Sequence, residues 1–135
     1  MKVFLGSETE RFADDIITPF RNKVNEKIQI ILAENNGTGY GKDVDLLCII
    51  TTCVSDEFLQ NSGWKERVRY SKKDKTTDLR LRIDYDKLLA SSKEEQYHLY
   101  LNNIIESIER LKAKYPKLDF DADRLVEDIK KISAV

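Results

Sequence analysis

The chain has 135 residues, 41% of them apolar and 35% charged, with 23 basic and 24 acidic groups and a net charge of −1. One domain spanning residues 1–135 is expected, long enough to bury a core without disulfide or metal staples; the near-zero charge supplies no global attraction to nucleic acid or membrane. No run of 18 apolar residues is present to cross a bilayer, and the opening Val3-Phe4-Leu5 is too short for a secretory signal, so action in the cytoplasm is expected.

Val3-Phe4-Leu5 reads as a short strand. Ser7 with Glu10 three residues on has the spacing of a capping box that opens a helix. Phe12, Ile16, Phe20, Val24, Ile28 and Leu32 then recur every four residues, with Ala13, Ile17 and Ile31 beside them, as the apolar stripe of one long helix. Pro19 lies inside it and predicts a kink or break near Thr18, because proline cannot donate to the carbonyl of Asp15. Asn35-Asn36-Gly37-Thr38-Gly39-Tyr40-Gly41 reads as the loop that ends this helix.

Leu46-Leu47-Cys48-Ile49-Ile50 is a continuous apolar run and predicts a central strand, followed by a connection over Ser55–Gly63 with room for a helical turn. Two runs of period two come next. Trp64, Glu66, Val68 and Tyr70 alternate with Lys65, Arg67 and Arg69; Leu79, Leu81, Ile83 and Tyr85 alternate with Asp78, Arg80, Arg82 and Asp84. The polar turn 71–76 between them makes a β-hairpin with one dry and one charged face. Asp86–Ala90 reads as a single helical turn. Ser92 and Glu95 form a second capping box, opening a helix with Tyr97, Leu101, Ile104, Ile108 and Leu111 on one side and Pro116 beyond its end. Asp121–Ile132 is the last helix. The order β-α-β-β-β-α-α predicts a two-layer α+β domain: a small antiparallel sheet with a charged hairpin face, and long amphipathic helices on its other face.

The residue types that usually carry chemistry are sparse or badly spaced. Cys48 and Cys53 are five apart on one strand, so they point to opposite faces and suit two free thiols rather than a bridge. His98 is the single histidine and has no Cys or His at ligand spacing, which argues against a metal site. No nucleophile elbow accompanies it. Gly37, Gly39 and Gly41 follow a helix and precede a strand, the reverse of a phosphate-cradling loop. The carboxylates near residues 8–15, 43–45 and 119–123 include helix starts, where the macrodipole favours acids. The chain is therefore read as a non-enzyme with no cofactor and no metal.

Charge is unevenly distributed. Residues 64–84 hold 8 basic and 4 acidic groups, whereas residues 1–63 hold 6 and 10. In the hairpin, Lys65, Arg67, Arg69, Arg80 and Arg82 share one face, and Lys72, Lys73 and Lys75 crown the turn. Three readings are open: docking onto a protein surface, phosphate binding by a nucleic-acid module, or a solvated face whose arginines pair across strands with Asp78 and Asp84. Four interrupting acids and the lack of an aromatic platform on that face weigh against nucleic acid.

The stretches Glu66-Arg67-Val68-Arg69-Tyr70-Ser71-Lys72-Lys73 and Asp78-Leu79-Arg80-Leu81-Arg82-Ile83-Asp84-Tyr85 resemble the hairpin of immunity protein family 44 of bacterial polymorphic toxin systems. The opening Val3-Phe4-Leu5-Gly6-Ser7-Glu8 is similar to that family's short first strand, and the two long helices fall in a similar order. The resemblance implies an antidote that binds a cognate toxin in the cytoplasm and covers its active site. Two docking faces then follow as candidates: the basic hairpin residues Lys65, Arg67, Arg69, Arg80 and Arg82, or the acidic group Glu8, Glu10, Asp14 and Asp15 at the start of the first helix.

Overall fold

The computed structural model describes residues 1–34 and 39–132, the side chain of Arg11 excepted. Their elements are β1 (Lys2–Thr9), α1 (Arg11–Glu34), β2 (Leu46–Cys53), α2 (Asp56–Ser62), β3 (Arg67–Ser71), β4 (Thr76–Arg82), α3 (Tyr85–Ala90), α4 (Lys93–Lys114) and α5 (Ala122–Ile132). The α+β class and the order of the long elements are as the sequence predicts, with α2 and α3 as short helices at the two places where a turn is expected. Asn35–Thr38, the part of the expected loop that holds Gly37, lie outside the described residues.

The four strands form one sheet in the order β1-β2-β4-β3. An antiparallel sheet was the expectation, and this is corrected: only β3 and β4 pair antiparallel, while β1 with β2 and β2 with β4 run parallel. The cause is the length of the connections. The 24-residue α1 carries the chain back to the end where β1 began, the crossover that parallel neighbours require. Between β2 and β4 the chain makes α2, crosses to the far edge and returns through β3. A hairpin reports the orientation of its own two strands and nothing about the others.

The dry face of the sheet presents Val3, Leu5, Leu47, Ile49 and Leu79 to α1 and α4, and α5 closes the core against both helices. Along α1 the buried line is Ala13, Ile17, Val24, Ile28 and Leu32, whereas Phe12 is 66% exposed. Of the expected stripe, Val24, Ile28 and Leu32 and the flanking Ala13 and Ile17 are buried, and Phe12 at its start is turned outward. Steps of four advance about 40° beyond a full turn, so a strict every-fourth pattern leaves one face over a helix this long. α1 is not broken at Pro19, which lies on its exposed side. Ser7 and Glu10 do not form the expected capping box. β1 pairs with β2 as far as Thr9 opposite Cys53, so Ser7 remains in the strand and its hydroxyl accepts from Arg21. The second box holds at its cap: Ser92 Oγ accepts from the Glu95 N–H at 3.2 Å.

One polar contact crosses the core. Thr51 Oγ1 on β2 donates to Asn103 Oδ1 on α4 at 2.8 Å, both residues being buried. It fixes α4 against the middle of the sheet and so sets where the hairpin lies relative to the helical layer.

Candidate functional site

The face of the sheet turned away from the helices holds the hairpin cations. On β3 these are Arg67 and Arg69, and on β4 Arg80 and Arg82, with Arg67 opposite Arg80 and Arg69 opposite Asp78 in the ladder. Lys65 stands just before β3. Two like charges directly opposite one another repel, and Asp78 resolves this. Its carboxylate takes Arg67 Nη1 and Arg80 Nε, each at 3.0 Å. Burial alone would raise the Asp78 carboxyl, but the hydrogen bonds and charges of these two arginines outweigh it and hold the group below its ordinary value.

The ion pairing continues across the sheet. Arg80 also pairs with Glu8 on β1, reaching over β2, and Arg82 pairs with Asp56 at the start of α2 at 2.6 Å. Three of the five cations expected on this face are thus met by carboxylates. Lys65 and Arg69 are exposed and make no ion pair among the described residues. Asp84, expected as a cross-strand partner, instead caps α3 by accepting from the Lys87 N–H at 2.9 Å; β4 ends at Arg82, two residues before it.

The acidic alternative divides between separate tasks. Glu8 lies on the sheet face with Arg80. Glu10 accepts from the Ser55 N–H at 2.9 Å and its hydroxyl at 2.7 Å, tying the start of α1 to the start of α2; those bonds lower its pKa. Asp14 accepts from the hydroxyls of Thr9 and Thr18. Asp15 is exposed on α1. Sequence reasoning missed the Glu8–Arg80 and Arg82–Asp56 pairs because each joins residues that only the strand order brings together.

The open face also has an apolar half. Phe4 is 54% exposed on β1, and its ring lies with Ile50 over Gly6, where a Cβ would meet Ile50 Cδ1 at 2.6 Å. The sheet therefore grades from apolar at β1 and β2 to basic at β3. Beside the basic end, the indole Nε1 of Trp64 and the Nε of Arg82 are buried with no hydrogen-bond partner among the described residues.

Neither thiol is set up as a nucleophile. Cys48 is half-buried on the open face and Cys53 fully buried, both free; burial raises the first and pushes the second up to about 12. Among the described residues no group of three or more His, Cys, Asp or Glu is placed to hold a metal ion, and no helix is long and apolar enough to cross a membrane. Asp43 and Asp119 serve structure instead: Asp43 Oδ2 accepts from the Asp119 N–H at 2.7 Å and Asp119 Oδ2 from the Lys42 N–H at 3.3 Å.

The pKa shifts of Glu10 and Asp78 predict acid sensitivity. Both carboxyls lie below their ordinary values of 4.5 and 3.8 in the folded chain. The stability they contribute is therefore complete above those values and lost as pH falls through the folded ones. Urea unfolding is expected to show stability level above about pH 5 and declining below about pH 4. The decline should be shallower in Asp78→Asn, which cannot titrate there.

What the fold and this face define is an α+β domain whose distinctive feature is a patterned charged surface. The chain belongs to the immunity protein 44 family, which its residues 1–133 match. No curated protein and no solved structure matches it. Membership makes it an immunity protein and implies a toxin as its partner.

Proposed function

We propose that this immunity protein neutralises its cognate toxin in the cytoplasm by binding it and covering its active site, without turnover and without a cofactor. The observation that carries the reading is the hairpin face. Lys65, Arg67, Arg69, Arg80 and Arg82 project from or beside paired strands, and carboxylates lock Arg67, Arg80 and Arg82 in place. A partner that meets such a face orders few additional side chains, which lowers the entropic cost of binding. Lys65 and Arg69, without carboxylate partners among the described residues, supply the charge that steers and selects the partner. Of the acidic alternative, Glu8 joins this same surface, while Glu10 and Asp14 are turned to neighbours in the fold. A nucleic-acid role is less well supported, because three of the five cations already face carboxylates and only the remainder would neutralise phosphate.

The test is co-expression with the toxin domain encoded in the adjacent reading frame. Growth rescue and a stoichiometric complex are expected. The double charge reversal Lys65→Glu/Arg69→Glu should weaken the complex about tenfold or more and reduce its salt dependence. A toxin that kills equally well in the presence of this protein would end the proposal.

A further inference from the structure

We propose that the free edge of β3 is a strand-addition site, which takes an extended segment of the toxin that alternates acidic and apolar residues. This rests on the antidote reading and specifies the chemistry of the partner.

β3 is the last strand of the sheet, with β4 on one side only. In an antiparallel pair, alternate residues turn both backbone groups toward the neighbour and the others turn both away. Val68 is of the outward kind, since its carbonyl accepts from Lys114 Nζ on α4 at 2.7 Å. Tyr70, two residues on, has the same orientation. The edge thus offers the N–H and C=O of Val68 and Tyr70, with one of those four groups held by a lysine that an incoming N–H can replace. A lysine commonly blunts such an edge; the unpaired backbone groups beside it are what a partner strand pairs with.

Two grooves, of about 600 and 580 Å³, flank this edge and share Lys114. One is walled by Lys65, Arg67 and Arg69 toward the open face of the sheet. The other is walled by Tyr70, Tyr115, Pro116 and Leu118, with lysines around it; the rings of Tyr70 and Tyr115 stand 5.8 Å apart. Five cations along the grooves, Lys65, Arg69, Lys72, Lys114 and Lys117, make no ion pair among the described residues. The two carboxylates that line the grooves are already engaged: Glu66 by Arg110 at 3.3 Å and Asp43 by the Asp119 N–H. The surplus is positive, and it is arranged along a strand. A strand added here sends alternate side chains to the two faces of the sheet. Carboxylates on one set meet Lys65 and Arg69; apolar or aromatic groups on the other fill the groove beside Tyr115 and Leu118.

The opposite edge fits this partner less well. On β1 a carbonyl is likewise held, that of Val3 by Gln29 at 3.3 Å, but the flanking charges, Lys2 and Glu8, are of both signs.

The experiment is amide hydrogen exchange on the protein alone and in complex with the toxin of the adjacent reading frame. It is paired with affinity measurements on Val68→Pro, which removes one outward N–H and leaves the ladder to β4 intact. Protection of the Val68 and Tyr70 amides in the complex is expected, with about a tenfold or greater loss of affinity in Val68→Pro. A peptide of alternating glutamate and valine should shift the same two amides in the free protein, and a lysine–valine peptide should not. Unchanged exchange at Val68 and Tyr70, or protection at Leu5 and Ser7 on β1 instead, would overturn the inference while leaving a rescuing antidote intact. Absence of rescue by the wild-type chain would instead count against the antidote reading itself.

Discussion

Gly41→Ala is expected to destabilise the fold by about 3 kcal/mol, by strain and collision together. Gly41 has φ of 105°, a conformation that side chains rarely adopt, and a Cβ there would collide with the Asp119 carbonyl, 2.6 Å from its carbon. The obstacle is backbone, so no rotamer change relieves it. Displacement would propagate, because this segment is sewn to the stretch before α5: the Asp43 N–H donates to the Asp119 carbonyl at 3.1 Å and the Asp121 N–H to the Tyr40 carbonyl at 2.8 Å. Gly63→Ala is the matched control. Gly63 has φ of 68° with nothing within 4 Å of its would-be Cβ, so it bears strain alone, about 1 kcal/mol. Urea midpoints of the two variants separate the contributions; equal losses would show that the collision with Asp119 has no weight.

The second large effect is expected in the core. Asn103→Ala removes the acceptor of the Thr51 hydroxyl and leaves a space beside it, a loss of about 2–3 kcal/mol. Both residues are buried, at 5% and 1% exposure, so water is poorly placed to substitute. The double variant Thr51→Val/Asn103→Leu replaces the pair with apolar groups and should be more stable than Asn103→Ala alone, because an unmet polar group costs more than an absent one. A double-mutant cycle on denaturant unfolding is expected to give a coupling of about 1 kcal/mol or more. Strict additivity would mean that the hydrogen bond contributes nothing to how α4 sits on β2.

These two sites bear on function because the charged face is only as well ordered as the scaffold behind it. Arg67, Arg80 and Asp78 hold their geometry through the β3–β4 ladder, and that ladder is positioned by β2, which Thr51 and Asn103 fasten to α4. The segment around Gly41 abuts the hairpin as well: the Tyr70 hydroxyl donates to the Asp43 carbonyl at 2.6 Å. A loss of order at either place should lower affinity for the toxin even though no docking residue has changed.

How much was legible in advance depended on whether a feature is local. The hairpin announces itself through its alternation, though its strands are Arg67–Ser71 and Thr76–Arg82, shorter at the open end than the alternation suggests. There, Glu66 accepts from the Arg82 N–H at 3.4 Å and Tyr85 already opens α3. The Ser92 cap was readable because its acceptor and donor lie three residues apart. The Ser7–Glu10 spacing has the same signature and misleads, because pairing with β2 holds Ser7 in a strand and Ser55 claims Glu10.

From its residues alone this chain determined its long helices, its hairpin and the concentration of cations at residues 64–84. Each is encoded in periodicity or composition over a few turns of chain. Tertiary structure alone decided that β1 and β4 flank β2 in parallel, that Glu8 and Asp56 reach arginines 72 and 26 residues away, and that Lys65 and Arg69 stand beside an open strand edge without carboxylate partners among the described residues. Those outcomes depend on which distant segments pair, and that pairing is set by crossover length and the burial of a shared core rather than by any local pattern.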